Sequence, residues 1–496
     1  MRTRLLFFLL AGALAHSLAD APEQFNPTNR VAGIGVARDD LSSELIEQRT
    51  NLMIESQTFG IMRDPQSLPG ARRITKDPRL QALFKSAAAS SGLPATTLEA
   101  IAYLESWGDA KAQSSTGPRG IMQVSAATAV SMGLKITYAT RYHISRDKVP
   151  VKVKGKSKPV YRTITRRTPY KVPVRDERMI PERAIPAAAR YIAGMEQKYG
   201  GRDWAIFAYH CGQGCVNMMQ DITRRARGIP REQMTVSRMF FSCSPAWNRE
   251  LYEAIQQQMQ RDWSPTYWFR IRRAEQLLEM YRRDPEEFAR MVQEYRSEFI
   301  ANANMRAPHR LSVWLKRDEL VYHSDSDIRN DASHLLAHAF NHPDYFGYML
   351  KLTPGEEYLA QASPAAIGTL AYIAFETRRL YNETGAKAPF KPLEVTSLVE
   401  SDDLARQKGR PEILSHCSGQ VFDIDYSALP PAELECLRFI LADLGWNGYL
   451  GFVEDGADSI HIGCSPGSRD FFAAVYREAT SRMSADVESS HSARAR

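Results

Sequence analysis

Apolar positions recur at helical spacing through most of the chain and turn to alternation only toward its C-terminal end. Leu98, Ile101 and Ala102 form one stripe, and Glu105 continues it, so a carboxyl group stands where the pattern asks for an apolar side chain. A carboxyl among apolar neighbours resists ionisation, and its pKa is expected to rise toward the range of a general acid. The helix is expected to start at Pro94-Ala95-Thr96-Thr97, with Thr capping free N–H groups. It is expected to end just after Glu105, at the breaker Ser106-Trp107-Gly108-Asp109. Further helices are expected at Leu41–Ile54, on the outside of its domain, and across residues 265–300, where Phe269, Leu277, Met280, Tyr281, Phe288 and Met291 stand among charged positions. Two more patterns cover Ala332–Phe340 and Pro364–Tyr381.

Short β-type runs take over at residues 388–475: Leu393–Val399, Gln420–Asp425 and Asp458–Gly463. In the second, Asp423 and Asp425 share one face while Phe422 and Ile424 share the other. In the third, Ile460 and Ile462 point into the core and His461 points away. Residues 138–180 also break the helical pattern. The stretch Arg141–Arg178 is rich in Lys, Arg, Val and Pro, and its Gly155-Lys156-Ser157-Lys158 turn predicts an exposed β-hairpin.

At 496 residues the chain is too long for one ordinary core. Its net charge is +7, with the basic excess in the insertion, and nothing resembles a nucleic-acid module. Residues 1–19 carry Arg2 and Arg4, the apolar run Leu5–Ala15, then Ser17 and Ala19. That predicts a secretory signal peptide cut after Ala19. The run is too short to span a bilayer and no later one reaches transmembrane length, so an exported, soluble, periplasmic protein is expected. Export permits disulfides among Cys211, Cys215, Cys243, Cys417, Cys436 and Cys464, in a pairing the sequence leaves open. Asp325-Ser326-Asp327 fails as a calcium loop, with no Gly at the sixth position and Leu336 at the twelfth.

Glu105-Ser106, Ser114, Gly117, Gly120-Ile121-Met122-Gln123 and Ala208-Tyr209-His210-Cys211-Gly212-Gln213-Gly214 together carry a resemblance. In order and register they are similar to the soluble lytic transglycosylases, relatives of goose-type lysozyme that cut the glycan strands of peptidoglycan. The resemblance covers residues 75–225. It departs at His210, where the family has Asn, and at the insertion. It implies that Glu105 protonates the MurNAc–GlcNAc oxygen and then takes a proton from the C6 hydroxyl, giving 1,6-anhydro-MurNAc without water or cofactor. Ser114 would contact the N-acetyl group, Gln123 would shape the cleft, Tyr209 would hydrogen-bond near Glu105, and Met122 belongs to the same substrate-binding turn. Standard glycosidases use two carboxylates. Asp109 lies in a polar loop and Asp203 most simply caps the Trp204–Tyr209 helix, so a single acid fits a substrate that supplies its own nucleophile. The rivals are a hydrolytic muramidase, which needs a second carboxylate, and a non-catalytic wall-binding scaffold. The hairpin reads either as a lysine-protected solvated edge or as a clamp on the anionic wall.

Ser415-His416, Asp423 and Asp458 before His461 carry a second resemblance, to the zinc peptidases of the D-Ala-D-Ala carboxypeptidase and dipeptidase group. It implies His416, Asp423 and His461 as zinc ligands with an open fourth position, and Asp458 as general base. Glu400 stands where that family has an oxyanion-stabilising Arg, with Arg406 and Arg410 as substitutes. The expected partners are glycan strands and stem peptides. The expected fold is a multidomain chain: an N-terminal helical segment at 20–75; a mainly α, lysozyme-like domain at 76–262 with an inserted β-hairpin; a helical connector at 263–385; a smaller α+β domain at 386–480; and a disordered tail at 481–496.

Overall fold

The computed structural model describes residues 43–151, 154, 160–243, 249–258, 264–297, 322–331, 335–408, 414–454 and 458–494. The expected signal peptide and the hairpin's Gly155–Lys158 turn lie outside them. The chain is mostly helical, with strands in its C-terminal part. It divides into a smaller unit, Pro69–Arg202, and a larger one that joins the residues up to Leu68 with Asp203 onward.

In the smaller unit, helices Pro78–Ser91 and Pro181–Tyr199 pack together around Phe84, Ile185, Ala188 and Ile192. Asp77 accepts the N–H groups of Arg79 and Leu80, and Gly92 ends the first helix in a left-handed conformation. Helix Ala95–Ser106 follows, with Leu98, Ile101 and Ala102 fully buried as the stripe predicts. Its start differs from expectation. Pro94 takes the cap position with no side-chain bond, and Thr97 is buried. The insertion is the expected hairpin, strands β1 (Ile136–Val151) and β2 (Val160–Asp176) pairing antiparallel with one irregularity at Thr137/Tyr138.

The larger unit is built on a sheet that the sequence shows only in part. β3 (Ala337–His338) pairs with β5 (Gln361–Ala362). β4 (Tyr348–Leu350), β6 (Leu393–Ser397), β7 (Val421–Asp425), β8 (Leu450–Glu454) and β9 (Ser459–Cys464) form a five-stranded sheet in the order β4-β6-β7-β9-β8. Helices Pro364–Glu383, Pro431–Trp446 and Arg469–Arg494 pack with it into one core. Gly368 lets the first cross the last closely: a Cβ there would fall 1.8 Å from the Phe472 carbonyl oxygen.

Several expectations give way here. The 265–300 helix is two, Tyr267–Arg283 and Pro285–Ser297, because Pro285 lacks an N–H and disfavours helical backbone at Asp284, whose φ is −145°. Ala332–Phe340 is not a helix in its described part, which contains β3. Residues 337–385 are not a connector, since Tyr348 and Leu370 lie in the same core as Ile460. The tail is helical to Arg494, with neither Gly nor Pro to stop it. The first helix, Ser43–Met62, is not an outer decoration: Leu52 joins the core and Arg49 donates to the Tyr449 hydroxyl. Asp325-Ser326-Asp327 opens a short helix under a capping box from Ser324. None of the six cysteines is joined in a disulfide.

Candidate active site and a second polar cluster

Glu105 occupies the last turn of helix Ala95–Ser106, which stops because Trp107 turns left-handed at φ 53°. Trp107 and Gly108 return their N–H groups to Tyr103 and Ala102, closing the helix end, and Arg73 donates to the Trp107 carbonyl at 2.6 Å. The carboxylate is thus presented, half-buried, at the lip of an open cleft of about 460 Å³. Its lining is Glu105, Ser106, Trp107, Ala112, Gln113, Ser114, Pro118 and Gln123. Among these Glu105 is the one carboxylate. Asp109 faces elsewhere, accepting the Lys111 N–H at 2.8 Å.

The opposite wall is a loop held by its own side chains. Gln123, at φ 44°, donates to the carbonyls of Ala112 and Gly120 at 3.2 and 2.9 Å. Ser106 donates to Ile121 O at 2.7 Å. Buried Arg178 reaches Gly117 O, Val124 O and the Asp176 carboxylate. Burial alone would raise Asp176, but its bonds and ion pair with Arg178 hold it below the usual carboxylate range. Ser114 is exposed at the rim, its hydroxyl 2.8 Å from that of Thr116. Met122 departs from expectation: it is fully buried and packs the wall instead of lining the cleft. Trp107, Gln113, Pro118 and Arg178 were not picked out by sequence. Trp107 had a signal, its place in the breaker; Arg178 had none.

Tyr209 lies half-buried on helix Arg202–Cys211 of the larger unit. Asp203 lies inside the first turn of that helix, not before it, and accepts from the adjacent Trp204 N–H at 2.8 Å and from Val236 N–H at 2.7 Å. His210 stacks on Tyr267, with ring centroids 4.1 Å apart.

Residues 82–148 and 161–229 match the transglycosylase SLT domain, with the break at the hairpin's end. This part of the chain is similar to an SLT domain. Over 133 residues, 27% of its length, the chain is 31% identical to the peptidoglycan transglycosylase gp16 of Escherichia phage T7. Over 57 residues, 12% of its length, it is 46% identical to membrane-bound lytic murein transglycosylase F 2 of Alkalilimnicola ehrlichii. The matched stretches span 8% and 13% of those relatives' own lengths. Among the described residues no helix is long and apolar enough to cross a membrane.

Outside the residues that match the SLT domain, the sheet gathers three of the residues named above. β7–β9 register sets Asp423 opposite His461, and helix Leu414–Cys417 brings His416. Asp423 Oδ1 lies 2.8 Å from His461 Nδ1 and 3.2 Å from His416 Nε2. The three donor atoms fall within 4.8 Å of one another. His416 Nδ1 sits 2.6 Å from the Leu398 carbonyl, which fixes its N–H there and turns Nε2 inward. That Nε2 is buried, with Asp423 Oδ1 as its ion-pair partner at 3.2 Å but no well-aligned hydrogen bond. Burial disfavours a charged His416, yet Asp423 and then Glu400 raise its pKa to about 9. Burial likewise opposes a charged Asp423, but the two imidazoles hold it far below the usual range.

Asp458 is not part of this cluster; it is exposed, in left-handed backbone at φ 67°. His461 points off the Ile460/Ile462 face as expected, but it is buried too. Glu400 is buried and accepts from Ser397 Oγ at 3.1 Å. Beside it a cavity of about 240 Å³ is lined by Thr353, Glu356, Ser397, Glu400 and Lys408, among others. Its cation is Lys408, 2.7 Å from Glu356, which sequence reading missed. Arg406 turns to Asp402 and Asp403, and Arg410 lies outside the described residues.

Proposed function

We propose that the chain is a secreted, periplasmic peptidoglycan lytic transglycosylase that cleaves the MurNAc–GlcNAc bond. The observation that carries this is Glu105, the single carboxylate of an open cleft within the residues that match the SLT domain. With no second carboxylate on that lining, the nucleophile is best supplied by the substrate. Glu105 protonates the glycosidic oxygen as the C1–O bond breaks. The same carboxylate then removes the C6 hydroxyl proton as that oxygen closes on C1, and 1,6-anhydro-MurNAc leaves. Ser114 at the rim suits an N-acetyl contact, and Gln123 braces the wall. Glu105→Gln tests the reading: it is expected to bind purified sacculi as the parent does and to release fragments about 10³-fold more slowly. Undiminished release would show that Glu105 is not the acid.

The larger unit is proposed to bind zinc through His416 Nε2, Asp423 and His461 Nδ1. The buried Nε2, which makes no well-aligned hydrogen bond, and the convergent N, O, N donor set favour this. Bound zinc would act there as a Lewis acid toward a water or a peptide carbonyl. Glu400, in the place of an arginine, disfavours a developing oxyanion, so we assign this module to gripping stem peptides. Lys408 offers a cation for their carboxylates.

A further inference from the structure

Between Ile136 and Asp176 there are 12 lysines and arginines against two aspartates, a net +10, whereas the other 455 residues hold 52 against 55, a net −3. The positive charge of the chain is therefore a property of the β1–β2 ribbon. Of the eight exposed large apolar side chains among the described residues, six lie there too: Tyr138, Tyr142, Ile144, Tyr161, Tyr170 and Val174.

The register sorts these side chains. Tyr138 faces Pro173 across the strands, Tyr142 faces Pro169, Tyr161 faces Pro150, and Ile144 faces Arg167. Paired residues share a face and alternate positions repeat it. One side of the ribbon thus carries three Tyr–Pro pairs and Ile144 together with Arg146, Lys148, Arg167 and Lys171, and no carboxylate. The Arg167 guanidinium lies over the Tyr142 ring, 4.7 Å from its centroid. Ile144 is 58% and Tyr161 63% exposed. A lysine-protected edge explains the charge but not the tyrosines and isoleucine beside it.

We propose that this face docks on an anionic phospholipid bilayer. The ribbon lies along the headgroups, with its tyrosines and Ile144 at the acyl boundary and its lysines and arginines on the phosphates. A nucleic acid or a wall polymer offers anions, and rings for the tyrosines to stack on. Neither offers an apolar layer for Ile144 and the three prolines; a bilayer presents both layers. The proposal does not depend on the transglycosylase reading.

Co-sedimentation of the chain from Asp20 onward with lipid vesicles tests it. The expected result is binding to phosphatidylcholine mixed with phosphatidylglycerol, but not to phosphatidylcholine alone. That binding should disappear near 1 M salt, where the screening length is about 3 Å. Arg167→Ser with Lys171→Ser should weaken it roughly fivefold per cation removed. Tyr138→Ser, Tyr142→Ser and Ile144→Ser together should abolish it, with circular dichroism confirming an unchanged fold. No vesicle binding, or binding that both variants keep, overturns the proposal. Retention on purified sacculi or DNA in place of vesicles overturns it as well and assigns the ribbon to a polymer.

Discussion

The Ser106 hydroxyl donates to the Ile121 carbonyl at 2.7 Å, and through that bond the residue beside Glu105 ties the end of its helix to the opposite cleft wall. The same hydroxyl lies 3.0 Å from the Ala102 carbonyl one turn back. Ser106→Ala leaves a buried acceptor unpaired, at a cost of about 1–3 kcal/mol. Urea midpoints should show that loss, and muropeptide release should slow under conditions where the variant is fully folded. An unchanged rate would mean the bond is structural only.

Gly120 is the tightest point of the wall. Its φ is +79°, and a Cβ would fall 1.8 Å from the Arg178 carbonyl oxygen. Gly120→Ala combines left-handed strain with a backbone clash, so it should destabilise the smaller unit by at least about 2 kcal/mol. Gly117→Ala is the control, since it has a positive φ but no atom within 4 Å of the added Cβ. Equal midpoints for the two variants would contradict the clash.

Asp176 supplies an acid dependence. Its carboxyl sits below the ordinary value because Arg178 outweighs the opposing effect of burial. A depressed folded pKa means stability that is present above the unfolded value of about 3.9 and lost as pH falls through the folded one. Asp176→Asn should therefore be less stable than the parent near neutral pH, with the difference shrinking below pH ~4. Melting curves across that range check it, and a difference independent of pH contradicts the pairing.

The helix that carries Glu105 was legible because one buried stripe, Leu98, Ile101 and Ala102, needs only local spacing to be read. Its wall was legible only through resemblance, since Arg178 reaches Val124 across 54 residues of sequence. Met122 misled for a related reason: it belongs to the motif because it packs the turn, not because it faces substrate. In the larger unit β7 and β9 alternate clearly, whereas β4 spans three residues, Tyr348–Leu350, too few for a period to appear. The Asp423–His461 pair follows from strand register, which no single strand contains.

Zinc is the test of the second cluster. Equilibrium dialysis should find one zinc per chain, lost in His416→Ala and in His461→Ala. At 100 times its dissociation constant the metal should add about 2.7 kcal/mol to the stability of the folded chain. Asp458→Asn should retain the metal, because that residue stands outside the cluster. Zinc bound equally well by the histidine variants would remove the site.

The identity of the released sugar tests the central claim most directly. Mass spectrometry of fragments freed from purified sacculi should show muropeptides ending in 1,6-anhydro-MurNAc. Glu105→Gln should reduce their rate of release by about 10³-fold, within the range of general acid–base catalysis. Reducing-end muropeptides would contradict the account, because water would then be the nucleophile and a second carboxylate would have to position it.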